Sequence, residues 1–557
     1  MDSMLLVVIL VLPFIAGVVA WLSPARISAG VSVASGIACF VLGLVLVPRA
    51  GSSTVHALSG WLRLDALSVV FLLTTTFLYA ATAVYSVGYL HAGGGHASLG
   101  RHYSRRFYAG LNFFCWAMAV TPILNSLLLV WVALEIASVV SALLVAIDAT
   151  DEGLEASWKY ILIASMGLGI ALLGTVVMYA AGAAALGDAY NMSIGPLLAS
   201  AQHLPDGLVR LGYLLAVLGF GTKMGLVPVH TWLPDAHSEA PTPVSALLSG
   251  ALLAVSFYAI LRYYEIAGRA MGYGFPRLVL LGFGIATLLL AAFYLASQSD
   301  LKRLLAYSSI EHMGIMAIGM SFVSPLAVSG VLIQVMAHAA AKGTAFFGAG
   351  TLLKKLSTKD MSRTRGAVGL LPVSGPLFVL AVLALSALPP FGIFRSEFLI
   401  VAGGLASSDQ GVAGVLVALV LLAFLGLTWW TTKIMLSPDP PTQDGDVASA
   451  RGEPVAMAAP AGAGVGFAGR PVPAPISSHS RAPSVDDALS PSSPSSPSSP
   501  SSPSSASLPA AKKGELSMWM VAAMVAGIGA LVILGVHLPA QLELVLQRAV
   551  VSLGAGR

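Results

Sequence analysis

Gly221-Thr222-Lys223-Met224-Gly225-Leu226-Val227-Pro228-Val229-His230-Thr231-Trp232-Leu233-Pro234-Asp235-Ala236-His237 sets a lysine and a proline inside an apolar run from 208 to 230. A run of that length crosses roughly 30 Å of hydrocarbon. Proline removes a ladder hydrogen bond and displaces the preceding turn. Non-helical backbone at membrane depth is tolerated only where it is buried in protein or lines a cavity. The stretch therefore reads as a transmembrane helix broken in mid-run, with an ammonium group beside the break. A second stretch, Ala387-Leu388-Pro389-Pro390-Phe391-Gly392, breaks another apolar run in the same way.

Composition extends this reading to the whole chain. Of 557 residues, 57% are hydrophobic and 10% charged, with a mean hydropathy of +0.86. Soluble domains carry about 25% charged residues, so an ordinary soluble enzyme is excluded and a polytopic all-α membrane protein is predicted. Fourteen spans are expected near 3–22, 28–47, 64–90, 107–122, 124–147, 157–181, 208–230, 241–264, 276–297, 301–321, 326–354, 372–404, 411–436 and 517–537. The first lacks a basic leader and an Ala-x-Ala cleavage site, and reads as a retained helix. Cys39 and Cys115 both lie in apolar runs, which argues for buried packing and against a disulfide framework or an iron-sulfur cluster.

The two breaks fall in the seventh and twelfth spans. Broken helices at corresponding places in two halves point to an internal repeat around an ion site. Five spans, fourth to eighth, would match the ninth to thirteenth with inverted topology, and Glu135 and Glu311 are spaced much as Lys223 and Glu397 are. The expected organisation is three N-terminal helices (1–106), a first five-helix repeat (107–264), a second (276–436), a Pro/Ser-rich linker (437–515) and a last span with its tail (516–557). The linker repeats Pro-Ser-Ser from Pro491 to Ser505 and cannot bury a core, so disorder is expected there. With the N-terminus outside, the cytoplasmic loops and linker hold 18 of the 29 Lys and Arg, and the opposite loops hold eight, Arg262 among them. The positive-inside bias thus puts both termini on the outer face of the plasma membrane and the linker in the cytoplasm.

A charge near the bilayer centre costs at least ~3 kcal/mol and needs a partner or a wet path. Glu135, Lys223, Glu311, His312, His338, Lys342 and Glu397 all lie within expected spans. Glu135 and Lys223 are expected to form a switchable pair, in which weakening the pairing of a desolvated lysine releases its proton. His338 and Lys342, four apart, share one helix face as a candidate proton relay. Glu397 follows the Pro389-Pro390 break, with Arg395 expected to bias it towards the ionised form. Glu311 and His312 are adjacent and face different ways, so either is open as a relay group. His230 and His237, with Asp235 and Glu239, have metal-ligand chemistry, but Pro234 breaks their helical spacing and no His-Glu-x-x-His pattern occurs. A solvated connector is expected there, with no metal and no cofactor. No glycine-rich phosphate loop follows a strand, so nucleotide binding is not supported.

The stretch from Gly221 to His237, followed by Ala240-Pro241-Thr242-Pro243-Val244-Ser245-Ala246-Leu247-Leu248, resembles the proton-translocating antiporter-like subunits of respiratory complex I and Mrp antiporters. Asp300-Leu301-Lys302-Arg303-Leu304-Leu305-Ala306-Tyr307-Ser308-Ser309, with Ile310-Glu311-His312-Met313-Gly314, resembles in particular the F-type membrane subunit of hydrogenase-4. The resemblance covers roughly residues 60 to 436. It implies fourteen helices with two inverted five-helix repeats, and protons driven across the membrane by redox chemistry in partner subunits. By position it implies Glu135 as the fifth-helix glutamate, Lys223 as the lysine of the broken seventh helix, His338 and Lys342 as the eleventh-helix relay, and Glu397 as the acidic group after the twelfth-helix break. One departure stands out. The eighth helix of the family carries a Lys or His, whereas this chain reads Ser249-Gly250-Ala251-Leu252-Leu253-Ala254, leaving Ser249 or Ala254 where a charge is expected and water or the nearby Ser256 to bridge the gap. A cation/proton antiporter subunit of the Mrp type is a second reading of the same residues, and the uncharged position favours a third, a membrane scaffold without transport. The retained Glu135, Lys223, Lys342 and Glu397 oppose the scaffold.

Overall fold

The computed structural model describes residues 2–92, 100–187, 189–359, 361, 367–435 and 513–555. The expected linker lies outside the described residues except for 513–515. Three helices open the fold, α1 (Asp2–Leu22), α2 (Ala25–Ala50) and α3 (Ala66–His91). A short antiparallel hairpin of β1 (Val55–Ala57) and β2 (Leu62–Leu64) joins the last two. Next come α4 (Gly100–Val120), α5 (Leu127–Val145), α6 (Asp151–Leu186), the short α7 (Ile194–Ala199), α8 (Asp206–Met224) and α9 (Trp232–Glu239). The eighth span runs from Thr242 to Met271 as α10 (Thr242–Leu247), a π-helical turn over Leu248–Leu252, and α11 (Leu253–Met271). Then follow α12 (Gly274–Leu295), α13 (Leu301–Ser321), α14 (Pro325–Leu356), α15 (Ala367–Leu370), α16 (Ser374–Leu385), α17 (Gly392–Leu405) and α18 (Gln410–Met435). The chain closes with α19 (Met518–Val536) and α20 (Ala540–Ser552).

Each of the fourteen expected spans corresponds to a helix or to a broken helix. Among the described residues, eleven helices are long and apolar enough to cross a membrane by themselves. The other three expected spans differ for physical reasons. The first turns of α4 carry His102, Arg105 and Arg106, α13 carries Lys302, Arg303, Glu311 and His312, and the twelfth span is divided into helices of 12 and 14 residues. Several helix starts are capped by short polar side chains. Asp65 accepts from Ser68 N at the head of α3, Thr150 from Gly153 N at α6, and Asp300 from Lys302 N and Arg303 N at α13.

Burial separates core from rim. The apolar windows of α10–α11, α14 and α3 are 100%, 89% and 83% buried, whereas those of α18 and α1 are 22% and 33% buried. The π-helical turn, which carries Ser249, thus sits in a fully enclosed span. Both expected breaks are present. The seventh span ends α8 on Gly225, whose φ of 86° suits glycine and closes the helix on the Gly221 and Thr222 carbonyls. The twelfth stops at Leu385 and restarts at Gly392, with Ala387 at φ 52° between them.

Arg262, assigned to an outer loop by charge counting, is only 1% exposed within α11. Its guanidinium bonds Asp65 Oδ1 at 2.6 Å, Glu265 Oε2 at 2.9 Å, Ser68 Oγ at 2.9 Å and the Tyr258 hydroxyl at 3.0 Å, tying α3 to α11. Opposite charges and full hydrogen bonding make that burial tolerable. On the hairpin face, Ser3 Oγ donates to the His56 carbonyl at 2.8 Å and Arg269 reaches the Ser552 carbonyl at 3.5 Å. The start of α1 and the end of α20 therefore share that face.

Candidate functional site

Lys223 lies one residue before the end of α8, and its side chain is fully buried. Nζ donates to Ser138 Oγ of α5 and, at 2.8 Å, to the Tyr160 hydroxyl of α6. That hydroxyl also bonds Ser141 Oγ at 2.7 Å, one turn beyond Ser138. Hydroxyls donate and accept, so this cage suits a protonated amine and a neutral one alike. The break itself supports the cage. Trp232, the first residue of α9, donates its indole N–H to the Thr222 carbonyl at 2.8 Å and stacks on Tyr160 with ring centres 4.5 Å apart. Val227 N donates to Thr287 Oγ1 of α12 at 3.0 Å.

Glu135 stands one turn before Ser138 on α5 and so shares its face. Its Oε1 accepts from Ser165 Oγ of α6 at 3.1 Å, and its buried Oε2 has no hydrogen-bond partner. No Glu135–Lys223 ion pair within 4.0 Å occurs among the described residues, so the expected pair is separated in this state, with Lys223 held by hydroxyls. The two still act on each other electrostatically.

The second group is built on α13, α14 and α17. Lys342 Nζ donates to the Leu305 carbonyl at 2.7 Å and to Ser308 Oγ, both on α13. His338, one turn earlier on α14, is fully buried with neither ring nitrogen hydrogen-bonded. Its ring lies 5.2 Å from that of His312. Gln334 then joins His312 to Glu397, donating from Nε2 to His312 Nδ1 at 3.0 Å and to Glu397 Oε1 at 3.3 Å. His312 Nδ1 itself is 3.6 Å from Glu397 Oε1. Glu311, with an unpartnered buried Oε2, interacts electrostatically with both Lys342 and Glu397. Both members of the Glu311-His312 pair thus face the cluster. Glu397 borders a cavity of about 500 Å³ walled by Phe394, Phe398, Leu416 and Leu421.

Arg395 forms no ion pair with Glu397 among the described residues. Helix α17 is already regular from Gly392, and residues two apart on a helix do not face each other. Glu397 turns towards His312 and Gln334 instead.

His237 is fully buried in α9, stacked on Phe346 of α14 with ring centres 5.2 Å apart, and neither ring nitrogen has a partner among the described residues. It feels the charges of Lys302 and Lys342. It is therefore a packed interior group and not part of a solvated connector. His230, 6% exposed with an unpartnered Nδ1, follows the break and makes no side-chain bond to either group among the described residues. Lys302, counted as a loop residue, is 3% exposed; its ammonium takes the Ser238 and Ala240 carbonyls at 2.9 and 2.5 Å, where the C-terminus of α9 favours a cation. It floors a cavity of about 340 Å³ that Glu239, Lys354 and Lys359 also line.

The eighth span places no charge at Ser249 or Ala254, but it is joined to the second group. Ser249 Oγ, in the π-helical turn, lies 2.7 Å from Ser309 Oγ, and Ser309 Oγ donates to the Leu305 carbonyl that Lys342 also uses. Ser256 Oγ donates to the Leu252 carbonyl one turn back and, among the described residues, bridges nothing. Ser138, Tyr160, Ser308, Ser309 and Gln334 are the members that charge placement alone does not single out.

The NADH:quinone oxidoreductase/Mrp antiporter transmembrane family model matches residues 125–426, which contain every group just described. The Hydrogenase-4 component F homolog of Methylacidiphilum infernorum is 38% identical over 363 residues, covering 64% of this chain and 75% of that protein. Hydrogenase-4 component B of Escherichia coli is 30% identical over 355 residues, and the match covers 60% of this chain but only half of that relative. In structure, a chain of the Mrp complex from Dietzia sp. aligns with a TM-score of 0.69 at 21% identity, over 79% of this chain and 81% of that one, which is a likeness of fold. Family match, relatives and fold agree, and the chain belongs to the NADH:quinone oxidoreductase/Mrp antiporter transmembrane family.

Proposed function

We propose that this chain is the proton-translocating membrane subunit of a hydrogenase-4-like or complex-I-like oxidoreductase, and that it moves protons through Glu135, Lys223, His237, Lys342, His338, His312 and Glu397. One observation carries the reading. Two lysines lie fully buried on hydroxyl and carbonyl oxygens with, among the described residues, no carboxylate in contact, each within electrostatic reach of a glutamate. A structural buried ammonium is expected to hold a direct ion pair or, like that of Lys302, to bond the carbonyls that end a helix, and these two do neither among the described residues. A lysine kept off its counter-ion can lose and regain a proton as the carboxylate approaches and withdraws. Redox energy comes from partner subunits, for which the names of the hydrogenase-4 relatives and of the NADH:quinone oxidoreductase/Mrp antiporter family are the support.

The two five-helix units, 107–264 and 276–436, are proposed as inverted repeats; a break in the fourth span of each supports this. The chain lies in the plasma membrane with the hairpin face outside and 437–515 in the cytoplasm. Protease added to inside-out vesicles then cuts the linker and leaves proton movement intact. Cutting only in right-side-out vesicles reverses the orientation.

The test of function uses inside-out vesicles from cells making this chain with its partner subunits. Electron donor acidifies the lumen, and Glu135→Gln or Lys223→Met removes most of that acidification. Because both changes disable one switch, the double variant is expected to be no worse than the poorer single one. Losses that simply add refute the switch. Sodium-driven proton exchange without any donor replaces the pump by the Mrp-type reading.

A further inference from the structure

We propose that α19 is a brace that positions the broken twelfth span against the relay helix α14, with Gly535 and Glu515 as its positioning residues. The inference rests on the relay reading of Glu397 and adds a mechanical element to it.

The brace is fixed at both ends. At its entry, the Glu515 carboxylate accepts the backbone N–H groups of Val373 and Ser374 at 2.7 and 3.0 Å and the Ser374 hydroxyl, at the head of α16. Beside it, Gly514 N donates to the Leu370 carbonyl at 3.0 Å, and its own carbonyl accepts from Lys355 Nζ at the end of α14 at 2.8 Å. An anion at a helix N-terminus satisfies donors that have no partner within the helix. This end therefore holds the first half of the twelfth span to α14.

At the far end, α19 meets the break itself. A Cβ on Gly535 would overlap the Pro390 carbonyl oxygen and crowd Phe391 C at 2.7 Å. Gly392, the first residue of α17, is enclosed between α19 and α14, since a Cβ there would stand 2.8 Å from Leu534 Cβ and 3.0 Å from Ala337 Cβ. Ala337 immediately precedes His338. Midway, a Cβ on Gly527 would overlap Thr344 Oγ1, two residues beyond Lys342. Close backbone approach at these glycines seats α19 on the peptide that sets the direction of α17, and through it the reach of Glu397 to His312 and Gln334. That reach is short, with Glu397 Oε1 3.3 Å from Gln334 Nε2. A displacement of α17 by one methyl group's width breaks it.

A control lies on the same helix. Gly529 has nothing within 4 Å of its Cβ position, so Gly529→Ala adds a methyl to open space. Gly535→Ala adds the same methyl against the break. In the purified complex reconstituted in vesicles, Gly535→Ala is expected to lower proton translocation about tenfold, with Gly529→Ala unchanged. Combined with Glu397→Gln, it adds no further loss, because it acts through Glu397. The infrared carboxyl band that disappears in Glu397→Gln shifts in Gly535→Ala and stays in place in Gly529→Ala, a signal that general destabilisation does not produce. Glu515→Gln weakens the entry end without adding bulk, and it is read in the same way where Gly535→Ala does not assemble. Wild-type translocation and an unmoved band in assembled Gly535→Ala or Glu515→Gln overturn the brace. Wild-type translocation in Glu397→Gln alone instead overturns the relay reading beneath it.

Discussion

Replacing Lys342 by Met is expected to lower proton translocation by about 100-fold, the scale on which a positioned proton-transfer group contributes, while the chain still assembles. Met fills most of the volume of the lysine stem, so packing on α13 is largely kept. The lost group is the ammonium on the Leu305 carbonyl and Ser308 Oγ, to which His237 and Glu311 are electrostatically linked. Lys342→Arg separates the two explanations of that loss. Arginine restores the positive charge but does not release its proton. A structural cation would thus be rescued by Arg, and a proton carrier would not. Translocation near wild-type in Lys342→Arg refutes the carrier role. Ser309→Ala gives a milder version of the same experiment. It cuts the hydroxyl link from Ser249 to the Leu305 carbonyl and leaves Lys342 itself in place.

Glu135, Lys223, His338, Lys342 and Glu397 were legible in the sequence because a charge inside an apolar run is costly enough to need a reason. Ser138 and Ser308 were not. Hydroxyls are common in membrane helices and bond their own carbonyls one turn back, as Ser138 does to Leu134 and Ser256 to Leu252. Residue type does not say which of these also faces a lysine. Tyr160 and Gln334 were hidden for the same reason, since Lys223 and Glu397, which they reach, are each 63 residues away. Long range also explains Arg262. At the end of an apolar run it reads as a loop cation, and only the approach of Asp65, 197 residues distant, turns it into an interior group. The two breaks were read correctly from proline because the lost ladder bond is a local fact. The separation of Glu135 from Lys223 depends on side-chain rotamers and helix rotation, which periodicity does not contain.

Glu397→Gln is the second change with a large expected effect, and its geometry makes the outcome specific. Gln keeps the size of the side chain and can still accept the Gln334 amide hydrogen at the oxygen, so the link to α14 survives. What it cannot do is take up and release a proton beside the imidazole of His312, whose Nδ1 lies 3.6 Å from Oε1. Translocation is therefore expected to fall by about 100-fold. Electron transfer either continues uncoupled or slows in step with the pump. The mirror change, Gln334→Glu, sets a second carboxyl group beside Glu397 and His312. Like charges so close are unfavourable, so one proton is retained on the pair. That variant is expected to translocate slowly while keeping assembly, with its pH optimum displaced from wild-type. Unchanged proton stoichiometry in Glu397→Gln removes Glu397 from the path. The cavity of about 500 Å³ beside it would then be a packing feature of α16 to α18 and not an outlet from the relay.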